Sequence, residues 1–213
     1  MGILNGFGLV SRRAFIDLQR EAAELRVAYD STIEGWARAL DLRNKEPLGH
    51  SERVTELTVR IGRKLGMRDA ELVNARRGAL LHDIGTLGIP DSILFKPTPL
   101  TDKEWEIMRL HPVYAYDLLT PIDSLRPASD IPYCHHEKWD GTGYPRGLKE
   151  EEIPLAARIF AMVDVWDQLR ANRPYRRAWT IEEAREYIFQ HTGTDFDPQV
   201  VDIFMKLDLE VKP

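Results

Sequence analysis

Apolar residues recur along most of this chain at three- and four-residue steps, the period of one helix face, so the pattern predicts an almost wholly helical protein. Good helix formers fill residues 12–42, which predicts one long helix, with Gly35 as the point where it could be interrupted. Its first half is rich in charge (Arg20, Glu21, Glu24, Arg26). That pattern suits a linker or dimer-forming stalk, and equally a surface helix of the same domain. A second helix is expected from near Pro47, with Val54, Leu57, Ile61 and Leu65 on its inner stripe and Gly66 as its C-terminal stop. Asp69 is a candidate N-cap for a third helix. Its stripe of Leu72, Ala75 and Ala79 runs on to His82 and Asp83, which places this pair in the last turn before Gly85.

The second half reads in the same way. Thr101 with Glu104, and Thr180 with Glu183, have the spacing of capping boxes, so each pair predicts a helix start. Pro112 must break or kink the helix that begins at Thr101, which puts His111 at the break and facing the core. His135 and His136 close a short helical segment after Pro132, and a loop dense in turn formers, Asp140 to Pro145, follows. Residues 154–169 predict a strongly apolar helix with Ala157, Phe160 and Asp164 on one face, so a carboxylate points inward. The last helix is expected over about 198–207.

Composition narrows the class. The chain has 213 residues, 43% of them hydrophobic, enough for one large domain or two small ones. A net charge of -5 argues against general nucleic-acid binding, DNA or RNA, and leaves room for a local basic pocket. The single cysteine, Cys134, allows no intrachain disulfide, which fits a reducing compartment. No apolar run reaches the roughly 18 residues of a membrane span. Arg12 and Arg13 follow the mildly apolar start instead of preceding it, the wrong order for a secretory signal. Gly6 stands where a myristoylation motif needs Ser or Thr. A soluble, cytoplasmic chain is the expectation, with no membrane partner.

The candidate chemistry lies in five of the six histidines: His50, His82, His111, His135 and His136, with Asp83 and Asp164 beside them. Burying these groups without a cation would leave costly unsatisfied polar atoms. Imidazole and carboxylate suit first-row divalent ions, a carboxylate can bridge two of them, and paired metals serve phosphate-ester hydrolysis. Asp83 is the best candidate for the bridge, since it leaves the same helix end as His82. His191 sits in a polar loop and is expected to be solvated.

His82-Asp83 with these histidines resembles the HD superfamily of metal-dependent phosphohydrolases. The run from His135 to Leu148 (HHEKWDGTGYPRGL) is similar to the signature of its HD-GYP branch, as are Ile84-Gly85, Gly88-Ile89-Pro90, Asp164-Val165-Trp166-Asp167 and Arg173-Pro174-Tyr175-Arg176. The resemblance covers about 46–200. It implies an all-α HD-domain bundle of about seven or eight helices over residues 43–213, preceded by a linker or dimerisation helix over 1–42. It implies hydrolysis of cyclic di-GMP to pGpG and on to GMP, with His50, His82, Asp83, His111, His135, His136 and Asp164 as ligands of two iron or manganese ions. Glu46 stands where some members hold a third ion with an acidic residue, and it reads equally well as a solvated acid at its helix start. The implied catalytic positions are His82, Asp83 and Thr86, and the implied substrate contacts are Tyr144, Arg173 and Arg176. The implied partners are a cyclic dinucleotide, a second copy of the chain through the first helix, and a diguanylate cyclase.

Two positions depart from the family. Thr86 stands where lysine is usual, and Gln168-Leu169-Arg170 where Ala-Leu-Thr is usual. Losing a cation near the scissile phosphate should slow turnover. Two alternatives to the phosphodiesterase follow: a weakened module that binds a cyclic dinucleotide or a protein, and a phosphohydrolase for another cyclic dinucleotide. Lys96 is a candidate to supply the missing charge.

Overall fold

The computed structural model describes residues 4–172 and 176–208, with side chains from residue 12 onward. Among the described residues it is almost entirely helical. Seven helices have eight or more residues: α1 (Leu4–Asn44), α2 (His50–Lys64), α3 (Asp69–Leu80), α6 (His111–Leu119), α8 (Leu155–Arg170), α9 (Ile181–Gln190) and α10 (Pro198–Met205). Three are shorter: α4 (Asp91–Leu94), α5 (Asp102–Met108) and α7 (Asp130–Cys134). Short 3-10 turns at Ile84–Gly88, Arg126–Ala128 and Glu150–Glu152 link them. This is the helical bundle expected from the sequence pattern.

The centre of the bundle is α8. Ala157, Ile159, Phe160, Met162, Val163 and Trp166 are buried on several sides of it, so α8 is enclosed by neighbours. Val54 and Ile61 of α2, Ala75 and Ala79 of α3, Ala184 and Ile188 of α9, and Val200, Val201 and Phe204 of α10 complete this core. Complete burial of a large apolar side chain such as Phe160 stabilises by about 1.5–3 kcal/mol. A second cluster joins Ile33, Ala37 and Leu40 of α1 to Leu80, Leu81, Ile84, Ala115 and Leu119. Asp164 and Asp167 therefore leave a helix enclosed on several sides, and both are buried.

Several boundaries differ from the sequence reading, each for a local reason. Helix α1 runs through Gly35 without interruption, because a single glycine costs only about 1 kcal/mol against alanine. Helix α2 begins at His50, after Gly49 in a left-handed conformation (φ 73°), and not near Pro47. The N-cap of α3 is Arg68, whose backbone N–H donates to Glu71 Oε2 at 2.8 Å, and Asp69 is the first helical residue. Helix α3 ends at Leu80, so His82 and Asp83 lie in the turn beyond it, just before the 3-10 turn. The capping boxes at Thr101–Glu104 and Thr180–Glu183 are present, and α6 starts at His111 with Pro112 in its first turn. Helix α10 stops at Met205.

Candidate metal centre

Five elements converge on one buried spot. His50 opens α2, His82 and Asp83 follow α3, His111 opens α6, His135 and His136 follow α7, and Asp164 comes from the middle of α8. The side chains form two groups. In each group, His50–His82–Asp164 and His111–His135–His136, the potential ligand atoms lie within 4.8 Å of one another. Asp83 stands between the groups. Its Oδ2 is 3.6 Å from His82 Nε2, while its Oδ1 is 3.6 Å from His111 Nε2 and 3.8 Å from His135 Nε2. One carboxylate thus turns one oxygen to each set of three.

The HD domain family matches residues 36–200, and that span includes all of these side chains. The chain belongs to the HD-domain family. It is 38% identical over 200 residues to a cyclic di-GMP phosphodiesterase of Thermotoga maritima, covering 91% of this chain and 54% of that protein. It is 36% identical over 185 residues to the 3'3'-cGAMP-specific phosphodiesterase 2 of Vibrio cholerae, covering 86% of this chain and 35% of that protein. The chain thus spans about half, or less, of the length of these curated relatives. Among solved structures it resembles a cyclic GMP-AMP specific phosphodiesterase of Vibrio cholerae, with TM-score 0.66 and 21% identity over 82% of this chain and 47% of that one, a likeness of fold.

The residues of this HD site fit a pair of cations. His82 Nδ1 donates to Ala79 O (2.9 Å), His111 Nδ1 to Met108 O (2.8 Å) and His135 Nδ1 to Ile131 O (3.1 Å). His50 Nδ1 lies 2.8 Å from Asp167 Oδ2. The three carbonyl bonds fix the tautomers of His82, His111 and His135 and leave each Nε2 as a lone pair aimed inward, the arrangement that supports a metal ligand, and the Asp167 carboxylate behind His50 takes the same supporting place. His111 Nε2 and His135 Nε2 are only 3.4 Å apart, and His136 Nε2 is 3.2 Å from His111 Nε2. With the Nδ1 protons of His111 and His135 already donated, those two lone pairs face each other, which a cation between them resolves. Asp164 Oδ2 accepts from Gln168 Nε2 at 2.8 Å, while Oδ1 is buried with no hydrogen-bond partner among the described residues and His50 Nε2 stands 3.5 Å from it. An orphaned buried carboxylate oxygen is costly unless something positive meets it.

The electrostatics follow from this crowding. Burial and the neighbouring imidazoles His111 and His82 push His136 down to about 3, with Asp83 opposing them. Burial, reinforced by His136, His111 and His82, also holds His135 well below the ordinary histidine value. Burial likewise disfavours a charged His50, yet the hydrogen bond to Asp167 and the charges of Asp164, Asp167 and Glu46 overcome it, raising His50 to about 9. Burial opposes ionisation of Asp83, and His82, His111, His136 and His50 around it outweigh that cost and lower its pKa. Asp164 is raised, chiefly by burial.

A loop forms the outer wall. Glu137 is buried, and its carboxylate accepts from the backbone N–H of Arg146 (2.7 Å) and Leu148 (3.0 Å). A Cβ on Gly143 would come 2.3 Å from Lys138 N, so only glycine lets the loop close this tightly. Closure brings Tyr144 against the site: its ring stacks on His136 at 4.7 Å and 21°, and its N–H donates to His136 O. Burial raises the Tyr144 hydroxyl above its ordinary pKa, against the field of Arg109, so it stays a neutral donor near pH 7. Gly85 serves a similar purpose on the other side, where the backbone of His111 approaches so closely that a Cβ would lie 1.8 Å from His111 O.

The remaining candidates are placed differently. Thr86 is buried and directed at Asn44 and Asp83. Glu46 contributes its charge to His50 and belongs to neither group of three. Lys96 is paired with Glu104 at 2.5 Å and does not supply a charge to Asp83. Arg176 donates to Leu169 O (3.1 Å) and Gln168 O (2.8 Å), satisfying carbonyls at the end of α8. Arg173, with Pro174 and Tyr175, lies outside the described residues. His191 is partly buried and stacks on Tyr187 at 4.0 Å, so it is a packed residue and not merely solvated.

Three contributors escaped the sequence reading. Asp167 holds His50 and accepts a bidentate pair from Arg53 at 2.7 and 2.8 Å. Its signal was the tetrapeptide beginning at Asp164, which repeats Asp at the third step, almost one helical turn on. Glu137 carried the same kind of signal inside the signature run. Arg109 lies 5.4 Å from the Tyr144 ring centre and 5.9 Å from the Trp105 ring centre, both cation–π distances, and gave no signal because a surface arginine is unremarkable in sequence.

Proposed function

We propose that the chain is a phosphodiesterase of cyclic dinucleotides of the HD-GYP branch, hydrolysing cyclic di-GMP to pGpG and on to GMP. The observation that carries this reading is the pair of three-residue groups facing opposite oxygens of Asp83. His50, His82 and Asp164 would hold one divalent cation, His111, His135 and His136 the other, and Asp83 would touch both. Iron or manganese suits this donor set, and Glu46 is the acid available for a third ion. When bound, such cations supply Lewis acidity to a phosphoryl oxygen and ionise water near neutral pH. The chain's own groups do the rest. Buried Phe160 packs against His82 and keeps that side dry. Tyr144 offers a ring face and a neutral hydroxyl to the nucleotide, and Arg109 offers positive charge at the rim; Arg173 and Arg176 are the further candidates for guanine or phosphate.

The test is to load the full chain with Mn(II) or Fe(II) and follow cyclic di-GMP and 3'3'-cGAMP by chromatography. Linear product from cyclic di-GMP is expected; faster turnover of 3'3'-cGAMP would reassign the substrate, and no product from either with metal bound would refute the activity. A second reading, a weakened module that binds the nucleotide or a protein, draws support from Thr86, which brings no charge, and from Lys96, whose charge is already paired. Nucleotide affinity without turnover would favour it.

The division at residue 42 is proposed with the same function. Helix α1 leaves Phe15, Leu18 and Leu25 exposed at three- and seven-residue steps, as a self-pairing helix would. A homodimer through this segment, a cytoplasmic location and a diguanylate cyclase partner at the Gly-Tyr-Pro loop complete the proposal. No described helix is long and apolar enough to cross a membrane.

A further inference from the structure

Asp83 is held by a side chain from outside the family's motifs. Asn44, the last residue of α1, donates from Nδ2 to Asp83 Oδ2 at 3.2 Å. This is the one side-chain hydrogen bond to that carboxylate among the described residues, since its imidazole neighbours stand at 3.6 to 3.8 Å. An amide can sit either way round, and the wrong way would turn its oxygen toward the carboxylate. The carboxylate itself decides the matter, and Thr86 supports the result. An ionised carboxylate only accepts, so Asn44 turns its N–H to Asp83 and its oxygen to Thr86, whose one hydroxyl proton is shared between Asn44 Oδ1 at 3.1 Å and Asp83 O at 2.8 Å. Thr86 is 4% exposed, so water does not compete for this contact.

We propose that Asn44, held in place by the Thr86 hydroxyl, is a positioning residue that fixes the plane of Asp83 so that each carboxylate oxygen faces one group of three. Position 86 then acts in this chain as a neutral supporting hydroxyl, and the end of α1 is tied directly to the candidate metal centre. The assignment rests on the reading of Asp83 as the bridge between two cations. A freely turning carboxylate would favour one group over the other, so loss of Asn44 weakens one ion more than its partner. Side chains that orient ligands in this way change metal affinity by about 10–100-fold.

The experiment is Mn(II) titration of the full chain by calorimetry, with electron paramagnetic resonance of the loaded protein to read coupling between adjacent ions. Asn44→Leu keeps the bulk and removes the donor, Asn44→Ala is the alternative should Leu not fold, Thr86→Val removes the hydroxyl and Thr86→Ser retains it. The wild type is expected to bind two coupled ions. Asn44→Leu (or Ala) and Thr86→Val are expected to bind the second ion about 10–100-fold more weakly and to lose the coupling, while Thr86→Ser matches the wild type. Folded Asn44 and Thr86→Val variants with wild-type affinity and coupling would overturn the assignment while leaving the proposed function standing. So would Thr86→Ser behaving like Thr86→Val. A wild type that binds no Mn(II) would remove the proposed function, and this assignment with it.

Discussion

Glu137→Gln isolates the contribution of the loop that carries Tyr144. The native carboxylate accepts two backbone N–H bonds, from Arg146 at 2.7 Å and Leu148 at 3.0 Å, and the residue is 3% exposed. A glutamine has nearly the same shape but one acceptor oxygen, so one N–H keeps a neutral partner and the other faces an NH2 group. Hydrogen bonds to a charged group are worth about 1.5–3 kcal/mol against about 1 for a neutral pair, and an orphaned buried N–H costs about 1–3 kcal/mol. The expected loss is therefore about 2–4 kcal/mol, which for a chain of this size lowers Tm by roughly 5–15 °C. Differential scanning calorimetry reads that shift, and KM for the cyclic dinucleotide should rise as Tyr144 loses its support. A variant with unchanged Tm and unchanged KM would refute the idea that Glu137 anchors the loop.

Other consequences are equally direct. Asp167→Asn removes the charge that holds His50 Nδ1 and the Arg53 fork, so Mn(II) titration should show one ion bound about 10–100-fold more weakly; equal affinity for both ions would count against this role. Gly85→Ala would place a Cβ 1.8 Å from His111 O where 3.4 Å is ordinary contact, so α6 must retreat by about 1.6 Å, and activity should fall about 100-fold or more in a phosphodiesterase assay. Burial, with Glu137 and Asp130 nearby, pushes the Cys134 thiol up to about 12. Since the folded value exceeds the ordinary 9, this contribution to stability is complete below pH 9 and is lost as pH rises towards 12. Cys134 should accordingly resist alkylation at pH 8 until the chain is unfolded, which mass spectrometry can follow.

Sequence periodicity foretold α2, α8 and the two capping boxes because those features are local: a stripe at helical spacing, or two side chains three residues apart. The histidines stood out because their chemistry is rare in a core. What escaped notice depends on contacts between distant parts of the chain. His50 and Asp167 are 117 residues apart in sequence, and Asn44 and Asp83 39 apart, so neither pair has a local signature. Gln168, uninterpretable as a departure from the family, donates to Asp164 one turn back. Arg176 has the residue type of a phosphate ligand, yet in this structure its donors satisfy the end of α8, a competition no single sequence displays. The start of α2 and the end of α3 were misplaced because Gly49 and Leu81 terminate regular structure through backbone conformation rather than residue type.

The central claim is that Asp83 lies between two cations, one in each group of three. Anomalous X-ray diffraction from crystals of the Mn(II)-loaded chain tests it most directly. The account requires two peaks, one within His50–His82–Asp164 and one within His111–His135–His136, with an Asp83 oxygen toward each. A single peak away from Asp83, or ordered side chains in the present arrangement with no peak after loading, would contradict it.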